Sequence, residues 1–229
     1  RVGHIGEGQP SADTQVEMSE AVTATFLPVP GSEPEASDTP RPIDGGGVGV
    51  YEAQVDLDQP GNWGLQVTVP LEGGEQTATA VFRVAEEHGV PAVGDPAPSV
   101  DNPTADSTDV EPIAIDSRAQ GEDATIPDPE MHDASIAEVL EAGRPMVVVI
   151  STPVYCVSRF CGPITDFVAG LEEQYRDRAE FVHLEVWQDF ESKTLNPWVE
   201  EWIFDPETGG NEPWVFLVCL LYTSDAADE

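Results

Sequence analysis

The chain has 229 residues, with 44 Asp and Glu against 9 Lys and Arg, giving a formal net charge of −35. Such a surface repels the phosphates of nucleic acids and the headgroups of anionic membranes, which excludes both as direct partners. The length suits one large domain or two small ones, and no apolar run reaches the roughly 18 residues that a membrane span needs.

Lys193 is the only lysine. Acidity with almost no lysine points to salt-rich surroundings, where ions screen the self-repulsion, or to an ordinary acidic secreted protein. The chain starts at Arg1 with no visible secretion signal, so the N-terminus is expected to be incomplete.

Residues 2–5 read as the remains of a strand, and residues 22–27 give one strand-like run. Residues 28–47, rich in Pro, Gly, Ser and acid, read as a long loop. Three runs then alternate apolar and other residues, at 50–57, 63–69 and 78–84. The turn around Pro60, Gly61 and Asn62 separates the first two, and Gly73-Gly74 breaks the chain before the third. Period-2 runs at this spacing predict an antiparallel sheet, half of a small β-sandwich covering residues 1–85, with Trp63 in its core. The tyrosine-bearing strand, the Pro60-Gly61-Asn62-Trp63 turn and the strand after it resemble the immunoglobulin-like β-domains of extracytoplasmic bacterial redox and metal-handling proteins.

Residues 86–132 are acidic and proline-rich with Arg118 as their one base, and read as an extended, self-repelling linker. Residues 110–115 are expected to add an edge strand. Ser135 and Glu138 form a capping box that opens a short helix through Ala142, closed by Gly143.

The central stretch follows. Met146, Val147, Val148, Val149 and Ile150 read as a buried strand, which leaves through Thr152-Pro153 towards Cys156 and Cys161. Ile164, Phe167, Val168, Leu171 and Tyr175 then share one helical face, supported by the Glu172/Arg176 pair. Residues 181–187 read as the next strand. Asn196 is placed as the cap of a helix that starts at Pro197, with Glu200 and Glu201 near its positive end. Residues 205–210 form a turn, and Pro213 leads into a last strand ending at Val218. Residues 219–229 have no pattern of their own and resemble the translation of a sequencing adapter, so they are left out of the fold.

That leaves two cysteines, too few to staple a chain of this length, and a lone close pair suggests redox or metal chemistry. On one regular helix, five residues separate them by about 7.5 Å and about 140°. A disulfide needs Cα atoms roughly 4.4–6.8 Å apart. A bond therefore requires Cys156 in the loop, with Cys161 beside the helix cap and Pro163 in the first turn.

Helix, strand, cysteines, helix, strand, helix, proline, strand: this order over residues 133–218 resembles the thioredoxin-like superfamily. Tyr155-Cys156 stand where that family has an aromatic residue and its nucleophile, and Pro213 stands at its cis-proline. The spacing departs from the family, four residues lying between the cysteines instead of two. Ile150 replaces the buried acid often found six residues before the first cysteine. The resemblance implies a truncated thioredoxin-like α/β domain behind the β-sandwich, with Cys156 as attacker and Cys161 as resolver. Tyr155, Arg159, Pro163 and Pro213 support the pair, and Arg159 favours the thiolate. It implies no cofactor or metal, protein thiols or disulfides as partners, and an extracytoplasmic location, with a membrane reached only through a missing N-terminal anchor. Two alternatives stay open: a non-catalytic domain braced by a structural disulfide, and a copper-handling module. For the latter, none of His4, His88, His132 and His183 has a ligand spacing to the pair.

Overall fold

Alternation of side chains builds the first part of the chain, and burial on two faces builds the second. The computed structural model describes residues 1–7, 16–28, 49–71, 73–121, 124–157, 160–204 and 210–219. The chain divides into two units, Arg1–His88 and Gly89–Glu229.

The first unit holds β1 (Val2–Gly6), β2 (Thr25–Pro28), β3 (Gly49–Glu52), β4 (Gly61–Leu71) and β5 (Gly74–Val84). The order β1-β4-β5 forms one antiparallel sheet, and β2 pairs with β3 in another. β4 and β5 are the arms of one hairpin, paired from Gly61↔Val84 to Leu71↔Gly74. Gly74 has a φ of 118°, which glycine adopts without steric cost and the tight turn requires. Trp63 is buried, and its indole N–H donates to the Gln59 carbonyl at 2.9 Å. The first alternating run is shorter than its pattern suggests. β3 stops at Glu52 and pairs with β2, because Phe26 packs edge-on against Tyr51 and its ring fills the space a Cβ at Gly49 would take.

The second unit contains α1 (Pro112–Ile115), a 3-10 turn (Pro129–His132), α2 (Ile136–Glu141), β6 (Met146–Ser151) and α3 (Cys161–Tyr175). It continues with β7 (Glu180–Glu185), β8 (Trp187–Asp189), β9 (Thr194–Leu195), α4 (Pro197–Ile203) and β10 (Trp214–Val218). β6 is the centre of a mixed sheet. β7 runs parallel to it from Met146↔Glu180 to Ser151↔Glu185, and β10 pairs antiparallel on its other side.

Both faces of β6 and β7 are covered, which is why these strands read as near-continuous apolar runs. Val148, Ile150, Val182 and Leu184 pack with Ile136 and Val139 of α2 and with Val199 and Trp202 of α4. On the other face Val149 and Phe181 pack with Val168 of α3 and with Met131. The capping box of α2 is formed: Ser135 accepts from the Glu138 N–H, and the Glu138 carboxylate accepts from the Ser135 N–H.

The proline-rich stretch contributes to this core. Val100, Asn102, Ala114, Ile115, Asp116, Ser117 and Ala119 are all buried. Residues 112–115 form a helical turn where an edge strand was expected, because Pro112 fixes the first helical φ and lacks only an N–H that a first turn does not use. Ile150 is fully buried between α2, α4 and the sheet. Ile150→Ala should destabilise the chain by about 2–5 kcal/mol, read from its denaturant midpoint.

Candidate functional site

The loop between β6 and α3 brings the two cysteines together. Cys161 is the first residue of α3 and Phe160 its N-cap, so Cys156 lies outside the helix. Cys156 and Cys161 form a disulfide with Cα atoms 6.0 Å apart, inside the range a bond needs. Cys161 is fully buried, while Cys156 is partly exposed. The first N–H groups of a helix lack intrahelical acceptors and carry partial positive charge, which favours a thiolate over a thiol at this end.

A third group stands with the sulfurs. A Glu212 carboxylate oxygen lies within 4.8 Å of both Sγ atoms. The Glu212–Pro213 peptide is cis, and the carboxylate accepts from the Thr152 N–H at 2.6 Å. Burial pushes the Glu212 carboxyl up to about 7, against the Thr152 hydrogen bond and with the help of neighbouring Glu185, while His183 opposes the rise. Burial also raises Glu185. Glu185 accepts from the Ser117 N–H at 2.8 Å and the Trp187 N–H at 3.2 Å.

The end of the α3-facing surface of the sheet is polar because Ser151, His183 and Glu185 follow Val149 and Phe181 at the strand period of two. The hydroxyls there have one consistent sense. Thr165 donates to the Cys161 carbonyl at 2.8 Å, so its oxygen must accept from Ser151 at 2.7 Å. Ser151 then accepts from His183 Nε2 at 3.2 Å, and its carbonyl lies 3.1 Å from the same nitrogen. A carbonyl only accepts, so His183 carries its proton on Nε2. Ser117 ties the proline-rich stretch to this end. Its hydroxyl accepts from the Val154 N–H at 3.2 Å and faces the Thr152 hydroxyl at 3.5 Å.

Of the residues singled out in the sequence, Cys156 and Cys161 are bonded, and Pro213 directly follows the carboxylate that stands with them. The Tyr155 ring stacks on Phe190 with centroids 4.2 Å apart, and Lys193 sits over the same Phe190 ring. Pro163 is exposed in the first turn of α3, and Arg159 lies outside the described residues. Asn196 occupies the N-cap position of α4, but its side chain does not cap. It donates instead to the Ala114 and Glu185 carbonyls at 2.9 and 2.7 Å, which fastens α4 to the proline-rich stretch. Glu212, Glu185 and Ser117 were not singled out. The one available signal was Glu212 standing immediately before the proline that opens the last strand.

No family model matches the chain, and no curated protein or solved structure is detectably similar to it.

A raised carboxyl makes stability depend on pH. Between about 4.3 and about 7 the folded chain holds a proton at Glu212 that the unfolded chain has released, so stability falls as pH rises through that window. Glu212→Gln keeps an acceptor for the Thr152 N–H and removes the charge. Its thermal midpoint should exceed the parent's at pH 8 and coincide with it at pH 4.

Proposed function

We propose that this chain is an extracytoplasmic thioredoxin-like protein that exchanges disulfides with protein thiols through Cys156 and Cys161. The observation that carries the reading is their bond at the start of α3, with the Cys156 sulfur reachable and Cys161 enclosed. The mixed order β10-β6-β7, with α3 between the parallel strands and Pro213 before β10, supports a thioredoxin-like arrangement. A disulfide in a chain otherwise poor in cysteine suits an oxidising compartment. Among the described residues no helix is long and apolar enough to cross a membrane.

In the reduced chain the Cys156 thiolate attacks one sulfur of a substrate disulfide. A bond forms between them, and the other substrate sulfur leaves as a thiolate. The Cys161 thiolate then attacks Cys156 Sγ, closing the internal bond and releasing the second substrate thiolate. Two electrons pass to the substrate, and the protons lost by the two cysteines equal those gained by the two product thiols. The Glu212 carboxyl stands beside both sulfurs with an affinity matched to neutral pH, suited to hold each proton between thiol and water. The reverse sequence oxidises a substrate dithiol. A sulfur placed next to a helix start and a carboxyl is a device for controlling thiolate formation, beyond what a brace needs.

A purely structural bond is the competing reading, favoured by the full burial of Cys161. Insulin reduction separates the two. The reduced chain should accelerate it at least about tenfold over the reductant alone. Cys161→Ser should accumulate a mixed disulfide with the substrate, and Cys156→Ser should not. No acceleration and no trapped adduct leave only the brace.

A further inference from the structure

Asp116, His132 and His183 lie far apart in sequence and meet inside the second unit, each almost completely buried. One oxygen of Asp116, Oδ2, is 3.6 Å from His132 Nε2 and 3.4 Å from His183 Nδ1. The hydroxyl line derived above puts the proton of His183 on Nε2. Its Nδ1 faces the carboxylate oxygen of Asp116 without a hydrogen bond. His183 Nδ1 and both nitrogens of His132 have no hydrogen-bond partner among the described residues. The same Asp116 oxygen accepts from Arg118 Nη2 at 2.7 Å on its outer side, and a cation between it and the two imidazoles would give the unpartnered ring nitrogens that face it a partner.

The geometry points to a divalent metal site, with Asp116 Oδ2, His132 Nε2 and His183 Nδ1 as ligands for zinc or a cation of similar preference. Ligands about 2.0–2.2 Å from one tetrahedral zinc stand about 3.3–3.6 Å apart, and the two observed separations fall in that range. Nitrogen and oxygen donors without thiolate suit zinc or cobalt(II) rather than copper(I). The outer contacts fit as well. His183 donates its far nitrogen to Ser151, the usual arrangement for a ligating imidazole.

Charge agrees with this reading. Arg118 faces three carboxylates, Asp116 at 2.7 Å, Asp128 at 2.9 Å and Asp166 at 3.2 Å. Asp128 and Asp166 are solvent-exposed, so together with Asp116 they leave an acidic surround at the edge of the site. A groove of about 390 Å³ opens beside Arg118, lined also by Asp128, Glu130, Asp166, Glu172 and Glu173. Its acidic walls concentrate cations next to the buried site. The site is separate from the cysteines and stands or falls independently of thiol exchange.

The test uses the full oxidised chain carrying Cys219→Ser, so that no free thiol is present to ligate. After dialysis against a chelator it is titrated with Co²⁺. The site predicts one equivalent bound with the intense visible bands of a low-coordinate nitrogen and oxygen site, displaced by Zn²⁺. His132→Gln and His183→Gln, checked for folding by circular dichroism, should each weaken binding at least about tenfold. Should either variant fail to fold, X-ray absorption of the zinc-loaded parent decides, since imidazole scattering is expected. A spectrum that stays that of hydrated Co²⁺, unchanged affinity in the folded histidine variants, or an oxygen-only shell overturns the proposal.

Discussion

A buried line of hydroxyl hydrogen bonds fixes the start of α3 against the central strand. It runs from His183 to Ser151, on to Thr165, and ends at the Cys161 carbonyl. All four residues are buried, so no donor along the line has water as an alternative partner. Each hydroxyl has one proton, and committing it at one end sets the direction of every bond behind it. Cys161 is thereby held at one position beneath the loop, and Cys156 reaches it across 6.0 Å between Cα atoms. The arrangement ties the chemistry of the loop to the packing of β6, β7 and α3.

The same end of the sheet gathers many of the buried polar groups of the second unit. Asp116, Ser117, Ser151, Thr152, Glu185 and Asn196 are enclosed there, and Glu212 is partly so. Burying such groups costs stability unless they are paired, and nearly all of these are. Asp116 shows how far pairing goes. Both of its oxygens accept from Arg118, Oδ1 at 3.1 Å and Oδ2 at 2.7 Å, while the ring nitrogens of His132 and His183 that face it have no hydrogen-bond partner among the described residues. Burial lowers the proton affinity of His132, against the pull of the same carboxylate. A core that carries this much polarity at one end has traded some apolar stabilisation for a defined electrostatic environment around the cysteine loop.

Much of this was legible in the sequence where a period or a cap expresses it. The apolar run at 146–150, the helical face from Ile164 to Tyr175, the Ser135–Glu138 box and the alternation along β4 and β5 each carry a local signal. The need for Cys156 to leave the helix followed from the reach of a disulfide alone. What was not legible depends on contacts between distant residues. Asp116 and Ser117 sit in an acidic, proline-rich stretch whose composition suggests solvent, and only the folded chain shows them anchored to Glu185 and Arg118. Asn196 looked like a cap, and a stronger demand from two buried carbonyls took its side chain elsewhere. Glu212 gains its place from the backbone turn before β10, which no spacing rule encodes.

The central claim is that the Cys156–Cys161 bond is exchanged in function, and its reduction potential tests this most directly. Equilibration of the full chain with glutathione buffers, read by alkylation and mass, should give a value between about −120 and about −270 mV, the span of exchanging dithiols. A bond that stays closed below about −300 mV, beyond reach of the glutathione pool, would contradict the account.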